Sequence, residues 1–421
     1  MSLMIMRRNN FIIRPDIYSF LAFYLNIDML EDLASSVYML VLREEAPYIF
    51  NIVLDVIGLV ILAFIVLRKK SVNRYFFYIA LTEILLYIIS VVITPDITRI
   101  LGTSIVRGIL YVLIPIYLFT LIDDVDKLFD AFVPYVLIGL IYALIQIPLR
   151  SVSFVTDTHY MDFTYNSLIA LMMALGIFLF GCGIGKDNRK NKIWYLIVAV
   201  VIFAINFVFG GRGVILCAAV AILIWLYFAK ANRKVLYFSI VIIIAVVLML
   251  SFDELINMLA GLFPRSRTIV RILNGNFINT TTSVRMKSWT YIISELKNNP
   301  FSIRGFLSDR IYLARYLNAD SESLYGSYAH NILLEILFQF GAISVPFLVF
   351  GIAKVVKSFH YMKNNLFEKS KVICFIVFAF GIGQLSVSAS YLTAKSFGMM
   401  VGLVLLIDEM SRRKKFESAD N

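Results

Sequence analysis

The fold class is decided by residues 193–229, whose sequence is IWYLIVAVVIFAINFVFGGRGVILCAAVAILIWLYFA. Two apolar runs, 193–209 and 213–229, flank a single charged side chain, Arg212. Each run is about 17 residues long, close to what an α-helix needs to cross a hydrocarbon core of about 30 Å. The sequence therefore predicts two membrane helices whose whole connection is Gly210-Gly211-Arg212-Gly213.

Runs of this kind recur along nearly the whole chain of 421 residues. Hydrophobic residues make up 60% of the sequence and charged residues only 16%, with a mean hydropathy of +0.83, which excludes an ordinary soluble enzyme. The scarcity of Gly, Pro and Cys excludes collagen-like, disordered and disulfide-stapled proteins. Eleven spans are predicted, at 48–67, 75–94, 104–122, 131–149, 166–184, 193–209, 213–229, 235–251, 331–356, 371–387 and 394–408.

A twelfth and weaker span is predicted between residues 15 and 42. Basic residues before it favour a cytoplasmic N-terminus, yet the span at 48–67 must begin outside, so a crossing is needed here. Asp28, Glu31 and Asp32 interrupt this segment, and charges at membrane depth are costly unless protein shelters them. The alternative is an amphipathic helix on the outer surface, with an outward N-terminus.

The distribution of basic residues sets the orientation. The net charge of +11 resembles that of nucleic-acid-binding proteins, but the basic residues lie in alternate short loops, which the positive-inside rule assigns to the cytoplasm. We therefore predict an all-α polytopic membrane protein of about 12 transmembrane helices with both termini cytoplasmic. Its parts are helices one to nine over 1–251, one large extracytoplasmic loop domain over 252–329, helices ten to twelve over 330–408, and a basic cytoplasmic tail over 409–421.

The segment 252–329 is much longer than the other loops and has more basic than acidic residues. Long connections are generally functional or disordered, and the aromatic and aliphatic content of this one favours an ordered domain. A helix that begins at Thr282-Ser283 and ends at Asn298-Asn299-Pro300 would carry Arg285 and Trp289 on one face. A basic domain held between two spans indicates an anionic ligand at the outer face.

The Gly210-Gly211-Arg212-Gly213 connection also has the chemistry of a phosphate site. Glycines permit a tight turn and expose backbone N–H groups at the start of the next helix, while an arginine can complete the contacts to phosphate oxygens. The alternative is a tight helical hairpin whose arginine reaches the lipid headgroups.

The segment Ser327-Tyr328-Ala329-His330-Asn331 enters the next span from the long loop. An imidazole with a pKa near neutrality can take a proton from a hydroxyl, as glycosyl or acyl transfer to an alcohol requires. Asn331, Glu335 and Gln339 then recur every four residues, so this polar stripe should face the helix bundle or a wet cavity. The alternative is a structural seam of interhelical hydrogen bonds.

These features together resemble the bacterial O-antigen polymerase and ligase superfamily. The resemblance rests on the Gly-Gly-Arg-Gly turn, Arg285-x-x-x-Trp289, the sequence AHNILLE at 329–335 followed by Phe340-Gly341, and the large late loop. Its specific motifs cover about 195–345. It implies an all-helical membrane glycosyltransferase of the C type that takes glycans on undecaprenyl diphosphate and needs no metal or other cofactor.

The resemblance also implies the roles of the site residues. Arg212 and Arg285 would bind the donor diphosphate and His330 would act on the acceptor hydroxyl, which makes these three the expected catalytic residues. The family commonly shows Gly-x-Gly after Asn-Pro, whereas this chain has Ile303-Arg304-Gly305-Phe306; Gly305 keeps the turn, and Arg304 either adds a charge contact or has no role. The residues expected to bind substrate are Gly211, Gly213, Trp289, Arg304, Tyr328, Asn331 and Glu335.

The expected activity is metal-independent, inverting polymerisation of lipid-linked repeat units into O-antigen, capsular polysaccharide or exopolysaccharide. The expected partners are undecaprenyl-diphosphate-linked donor and acceptor glycans and membrane lipids. A chain-length regulator is a further candidate partner, and no nucleic acid is expected to bind. The expected location is the bacterial inner membrane, with the active site facing the periplasm or exterior.

Two alternatives remain open from the sequence. An O-antigen ligase would use the same donor but transfer the glycan to the lipid A core. A lipid-linked oligosaccharide flippase or secondary transporter would also suit twelve spans with buried charges. Transporters tend to have two similar halves, and the long loop has no counterpart in the first half of this chain.

Overall fold

A computed structural model describes residues 4–7, 10–13, 16–47, 50–69, 73–149, 160–182, 188–209, 213–229, 239, 252–263, 267–274, 281–318, 327–387 and 389–417. Apart from one short antiparallel hairpin, in which β1 (Met4–Arg7) pairs with β2 (Asn10–Ile13), the regular structure of these residues is helical.

Twenty α-helices follow the hairpin in the described parts of the chain. Helices α1 to α10 are, in order, Ile17–Leu25, Ile27–Leu42, Phe50–Lys69, Arg74–Ile93, Thr98–Arg107, Ile114–Thr120, Val125–Phe132, Pro134–Leu149, Tyr160–Asn166 and Leu168–Phe180. Helices α11 to α20 are Asn188–Phe209, Gly213–Phe228, Phe252–Leu262, Arg267–Leu273, Thr281–Asn298, Ser308–Tyr316, Ile332–Phe340, Val345–Asn365, Glu368–Val387 and Lys395–Glu417. A π-helical segment, Gly108–Leu113, joins α5 to α6, and a 3₁₀ turn, Gly341–Ser344, joins α17 to α18.

Side-chain caps explain where several helices begin. The carboxylate of Asp16 accepts from the Ser19 N–H at the start of α1, and Asp124 accepts from two backbone N–H groups at the start of α7. Asn73 caps α4 and Asn331 caps α17 in the same way. Each cap satisfies backbone donors that the first helical turn leaves without a partner.

The chain divides into two compact units. The first comprises Met1–Lys70, Ile122–Phe277 and Leu366–Phe380, and the second comprises Ser71–Leu121, Ile278–Asn365 and Gly381–Asn421.

In the first unit, α10 is buried along most of its length, and small residues let its neighbours approach closely. A Cβ at Gly139 on α8 would lie 2.2 Å from the Cβ of Ala170, and a Cβ at Gly176 would lie 2.9 Å from Val372. Where apolar burial does not drive association, such close contacts are what holds membrane helices together.

In the second unit, α20 packs against the segment from Gly108 to α6. A Cβ at Gly398 would lie 2.6 Å from the carbonyl oxygen of Val112, and a Cβ at Gly402 would lie 2.7 Å from Phe119. Helices α15, α16 and α17 share an apolar cluster of Ile292, Leu313, Ala329 and Phe338. This cluster positions the segment that enters α17.

Seven stretches of the described chain are long and apolar enough to cross a membrane, so this is a multi-pass membrane protein. They are Arg74–Ile93, Pro95–Thr120, Val125–Leu149, Phe163–Phe180, Lys192–Phe209, Ile332–Asn365 and Glu368–Ser386. Each coincides with a predicted span, at 75–94, 104–122, 131–149, 166–184, 193–209, 331–356 and 371–387.

The predicted count of about twelve spans is not confirmed by the described residues. The apolar helices Val53–Leu67 and Gly213–Phe228 are shorter than the seven, and α20 carries charged residues along its C-terminal half. The predicted span 235–251 lies outside the described residues except for position 239. The predicted span 15–42 is two helices, α1 and α2, which meet at the buried Asn26.

The large loop expected over 252–329 contains four helices in its described parts, α13 to α16. The predicted helix from Thr282-Ser283 to Asn298 is confirmed as α15. The turn at Gly305 is confirmed too: its φ is +83°, and a Cβ there would lie 2.7 Å from the Ser90 hydroxyl oxygen. Only glycine adopts this conformation in that space without strain.

Candidate functional site

Helix α15 holds the segment before His330 in place. Arg285 and Trp289 lie one turn apart on α15, and the indole Nε1–H of Trp289 donates to the carbonyl oxygen of Ala329 at 2.7 Å. Ala329 itself is fully buried in the cluster shared by α15, α16 and α17. The sequence pattern Arg-x-x-x-Trp therefore belongs to the same local structure as the residue that precedes His330.

His330 has a left-handed backbone conformation, with φ of +54°. For a residue other than glycine, such strain costs about 1–3 kcal/mol and persists only where the surroundings fix it. The next residue provides one fixed point, because the Asn331 amide accepts from the Leu333 and Leu334 N–H groups and donates to the Ser386 carbonyl at 3.0 Å. A strained residue held between two anchored neighbours is typical of functional positions.

The ring of Tyr328 contacts both His330 and a buried cation. Its centroid is 4.0 Å from that of the His330 imidazole, and the guanidinium carbon of Arg310 lies 5.2 Å from its centroid. Tyr328 and His330 are half-buried, whereas the Arg310 side chain is only 1% exposed. Aromatic rings attract cations over their faces, so Tyr328 contacts both the buried Arg310 guanidinium and the partly open His330 imidazole, whose ring plane is inclined by 38° to its own.

Arg310 belongs to a buried cluster of charged and polar side chains. Arg310 Nη1 is 3.5 Å from Asp309 Oδ1 and 3.4 Å from Glu335 Oε1, and both carboxylates are fully buried. Burial raises the pKa of Asp309 above its usual range, although the Arg310 guanidinium acts in the opposite direction. Among the described residues, Glu335 Oε2 has no hydrogen-bond partner.

Neutral side chains complete the cluster. Gln339 Nε2 donates to Asp309 Oδ1 at 2.8 Å, and its oxygen accepts from the Tyr391 hydroxyl at 2.5 Å. The Ser390 hydroxyl donates to Glu335 Oε1 at 2.5 Å. Burial, together with the Glu335 and Asp309 carboxylates, raises the pKa of Tyr391 well above its usual value, so this phenol remains a neutral donor.

The expectation that the stripe Asn331, Glu335 and Gln339 faces the protein interior is confirmed, since Glu335 and Gln339 are fully buried. The hydrogen bonds of Gln339 to Asp309 and Tyr391 fit the alternative interpretation of this stripe, which is a structural seam of interhelical hydrogen bonds. Glu335 was expected to bind substrate, but its described contacts are to protein groups within the unit. Asn331, also expected to bind substrate, acts as a helix cap.

Arg304 was expected to bind substrate, and its described contacts are likewise internal. Its guanidinium lies 3.3 Å from Glu295 Oε2, donates to the Phe338 carbonyl at 3.2 Å and covers the Phe338 ring at 4.5 Å. Its side chain is 6% exposed. These contacts tie the turn at 303–306 to α15 and α17.

The remaining predicted site residues belong to the connection Gly210-Gly211-Arg212-Gly213. Gly210, Gly211 and Arg212 lie outside the described residues. Gly213 begins α12, and a Cβ there would lie 2.6 Å from the Tyr165 hydroxyl, so the start of this helix is in close contact with α9.

The structure places Trp289 against the segment 327–331, in which Tyr328 contacts His330, and Arg285 lies one turn from Trp289 on α15. Sequence reasoning missed Asp309, Arg310, Ser390 and Tyr391, which complete the buried cluster. The adjacent Asp309-Arg310 pair within a basic loop was the only sequence feature that pointed to this cluster. A sequence alone does not distinguish such a buried pair from an ion pair exposed on the surface.

Comparison with protein families assigns the same part of the chain. A model of the O-antigen ligase family matches residues 198–349, just over a third of the chain, which includes α12 to α17. No curated protein sequence matches this chain. Residues 198–349 are therefore similar to the O-antigen ligase family, and the resemblance of this chain to the bacterial O-antigen polymerase and ligase superfamily is confirmed.

Proposed function

We propose that this protein is a membrane glycosyltransferase that polymerises undecaprenyl-diphosphate-linked oligosaccharide repeat units. One observation carries the proposal: His330 is held in a strained conformation at the mouth of a membrane span, directly after the residue that Trp289 anchors to the Arg285 helix. That arrangement supports an imidazole and a guanidinium at one extramembrane surface, as transfer from a lipid diphosphate requires.

His330 is the proposed general base. It takes the proton of the acceptor hydroxyl as that oxygen attacks the anomeric carbon of the donor sugar. The bond from the anomeric carbon to the phosphate oxygen breaks, and undecaprenyl diphosphate leaves with the electron pair. Attack from the face opposite the leaving group inverts the anomeric configuration.

Arg285 and Arg212 are proposed to bind the donor diphosphate. The leaving group gains negative charge as the glycosidic bond breaks, and planar guanidinium groups stabilise such charge with paired hydrogen bonds. Gly211 and Gly213 are proposed to expose backbone N–H groups to the same phosphates. Trp289 and Tyr328 would contact the sugars or support the base.

The proposed setting is the bacterial inner membrane, with both termini cytoplasmic and the site at the outer surface. A donor and an acceptor that both carry lipid tails explain why the site adjoins membrane spans. We propose that a chain-length regulator is a further partner.

The test is glycan chain growth by the purified full-length protein in lipid nanodiscs, supplied with undecaprenyl-diphosphate-linked repeat units. We expect polymer from the wild type and none from His330→Asn, because Asn tolerates the left-handed backbone but is no base at neutral pH. Normal chain growth in His330→Asn would remove His330 as the base. Absence of growth from the wild type, with movement of lipid-linked glycan across a vesicle membrane, would make the protein a flippase.

A second candidate follows from the family match, whose description is O-antigen ligase. A ligase would transfer the glycan from the same donor to a lipid A core acceptor. Adding that acceptor to the same assay separates the two activities, because a ligase forms product only when it is present.

A further inference from the structure

We propose that Arg310 is a positioning residue, which fixes the orientation of the His330 imidazole through the ring of Tyr328. This deepens the proposed function and rests on it, because it takes His330 as the base. Arg310 would not touch substrate, since its side chain is 1% exposed.

Two ring contacts link Arg310, Tyr328 and His330. The Arg310 guanidinium covers the Tyr328 ring at 5.2 Å, and the Tyr328 ring contacts the His330 ring with centroids 4.0 Å apart. The His330 ring plane is inclined by 38° to that of Tyr328, so moving the Tyr328 ring changes the surface that the imidazole contacts.

Arg310 is itself held by buried ion pairs. Two buried carboxylates hold its guanidinium, and each is fixed from another side: Asp309 by Gln339 and Glu335 by Ser390. Both contacts are made by Arg310 Nη1, which therefore lies between the two carboxylates.

The same buried cluster also holds the backbone beside His330. Asp309 Oδ2 accepts from the Ala329 N–H at 3.4 Å, while Asp309 Oδ1 lies 3.5 Å from Arg310. The side chain and the main chain at His330 are therefore both fixed relative to one buried carboxylate.

The cluster is a poor choice for stability alone. Replacing a buried ion group by packed apolar residues is often neutral or stabilising, and here a buried carboxylate oxygen has no partner among the described residues. Such costs are expected where a function needs defined geometry.

The ring contact can be tested without any enzymatic assay. The chain has three histidines, His159, His330 and His360, so modification by diethyl pyrocarbonate can be followed at each by peptide mass spectrometry. In the full-length protein, the rate at His330 should rise severalfold in Tyr328→Leu and stay unchanged in Tyr328→Phe, which keeps the ring. The rate at His360 is the internal control.

The same rate should rise in the double variant Arg310→Met/Glu335→Gln, which removes the cation together with one carboxylate charge. Arg315→Met is the matched control, because Arg315 lies on the same helix with an exposed side chain and pairs with Asp96. If the double variant does not fold, the pair Tyr328→Leu and Tyr328→Phe still decides. An unchanged His330 rate in Tyr328→Leu would overturn the inference.

Kinetics separate positioning from binding. Misplacement of a catalytic group by about 1 Å costs on the order of 10²-fold in rate, so Tyr328→Leu should lower kcat by about 10²-fold with the KM for the lipid-linked donor unchanged. Tyr328→Phe, which keeps the ring, should lower kcat much less than Tyr328→Leu does. A rise in KM alone would overturn the inference, since Tyr328 would then bind substrate. Failure of the proposed function is a different result, namely no chain growth by the wild type.

Discussion

Two groups of buried polar side chains, one in each unit, differ in their charge. In the first unit, amides and hydroxyls join neighbouring helices: Asn206 Nδ2 donates to Ser167 Oγ at 2.8 Å, and Gln146 Nε2 donates to Ser36 Oγ at 3.3 Å. We call these two pairs the neutral seam. In the second unit, the buried cluster of Asp309, Arg310, Glu335 and Gln339 contains full charges.

This difference in charge indicates which of the two buried groups is under functional constraint. A neutral pair costs little to bury, because each partner satisfies the other. Charges cost far more to take out of water, and their mutual attraction repays this only with very good geometry. The charged cluster lies beside the strained His330 segment, whereas the neutral seam lies within helices, and the left-handed Arg43 of the first unit is the C-cap of α2.

The largest effect that would sharpen this comparison is expected from Arg310→Met. It leaves Asp309 and Glu335 buried without their cation, which should lower the free energy of unfolding by about 3–5 kcal/mol. Denaturant unfolding of the full-length protein in mixed micelles measures it.

The control is Arg315→Met on the same helix. Its partner Asp96 is exposed, so the pair should contribute only about 0–1 kcal/mol. Equal losses in the two variants would show that the buried cluster has no special cost, and the contrast between the units would disappear.

The next largest effect is expected from Gln339→Leu. Gln339 serves two buried partners, Asp309 and Tyr391, and leaving such groups unsatisfied costs about 1–3 kcal/mol. Gln146→Leu is the counterpart in the neutral seam, where Ser36 is the partner and the loss should be smaller, about 0.5–1.5 kcal/mol. A larger loss for Gln146→Leu, in the same unfolding measurement, would reverse the ranking.

The sequence predicted the apolar spans well because their signal is local. Seven predicted spans correspond to long apolar helices, and the helix that carries Arg285 and Trp289 begins and ends within a residue or two of its expected bounds. Length, hydropathy and the Asn-Pro stop are all readable within one window of sequence.

The charged cluster was not predicted because it depends on distant parts of the chain. Arg310 meets Glu335 across 25 residues, and Ser390 meets Glu335 across 55. Periodicity identified Glu335 and Gln339 as inward-facing but gave no means of finding their partners. For the same reason, Arg304 and Glu335 were expected to bind substrate, and their contacts to Glu295 and Arg310 emerge only from the fold.

The smallest effect is expected from the double variant Ser167→Ala/Asn206→Leu in the neutral seam. Replacing both partners of a neutral hydrogen bond by apolar groups can be nearly neutral, so the loss should stay below about 1 kcal/mol. Chain growth should also be unchanged, because Ser167 and Asn206 belong to the first unit and bond to each other.

The corresponding treatment of the charged cluster, Arg310→Met/Glu335→Gln, still leaves the buried Asp309 carboxylate and removes the cation over Tyr328. This double variant should therefore reduce kcat even if it lowers the free energy of unfolding only modestly. If the seam variant lost as much activity as the cluster variant, buried polarity of either kind would matter equally for catalysis. The charged cluster would then have no specific link to His330.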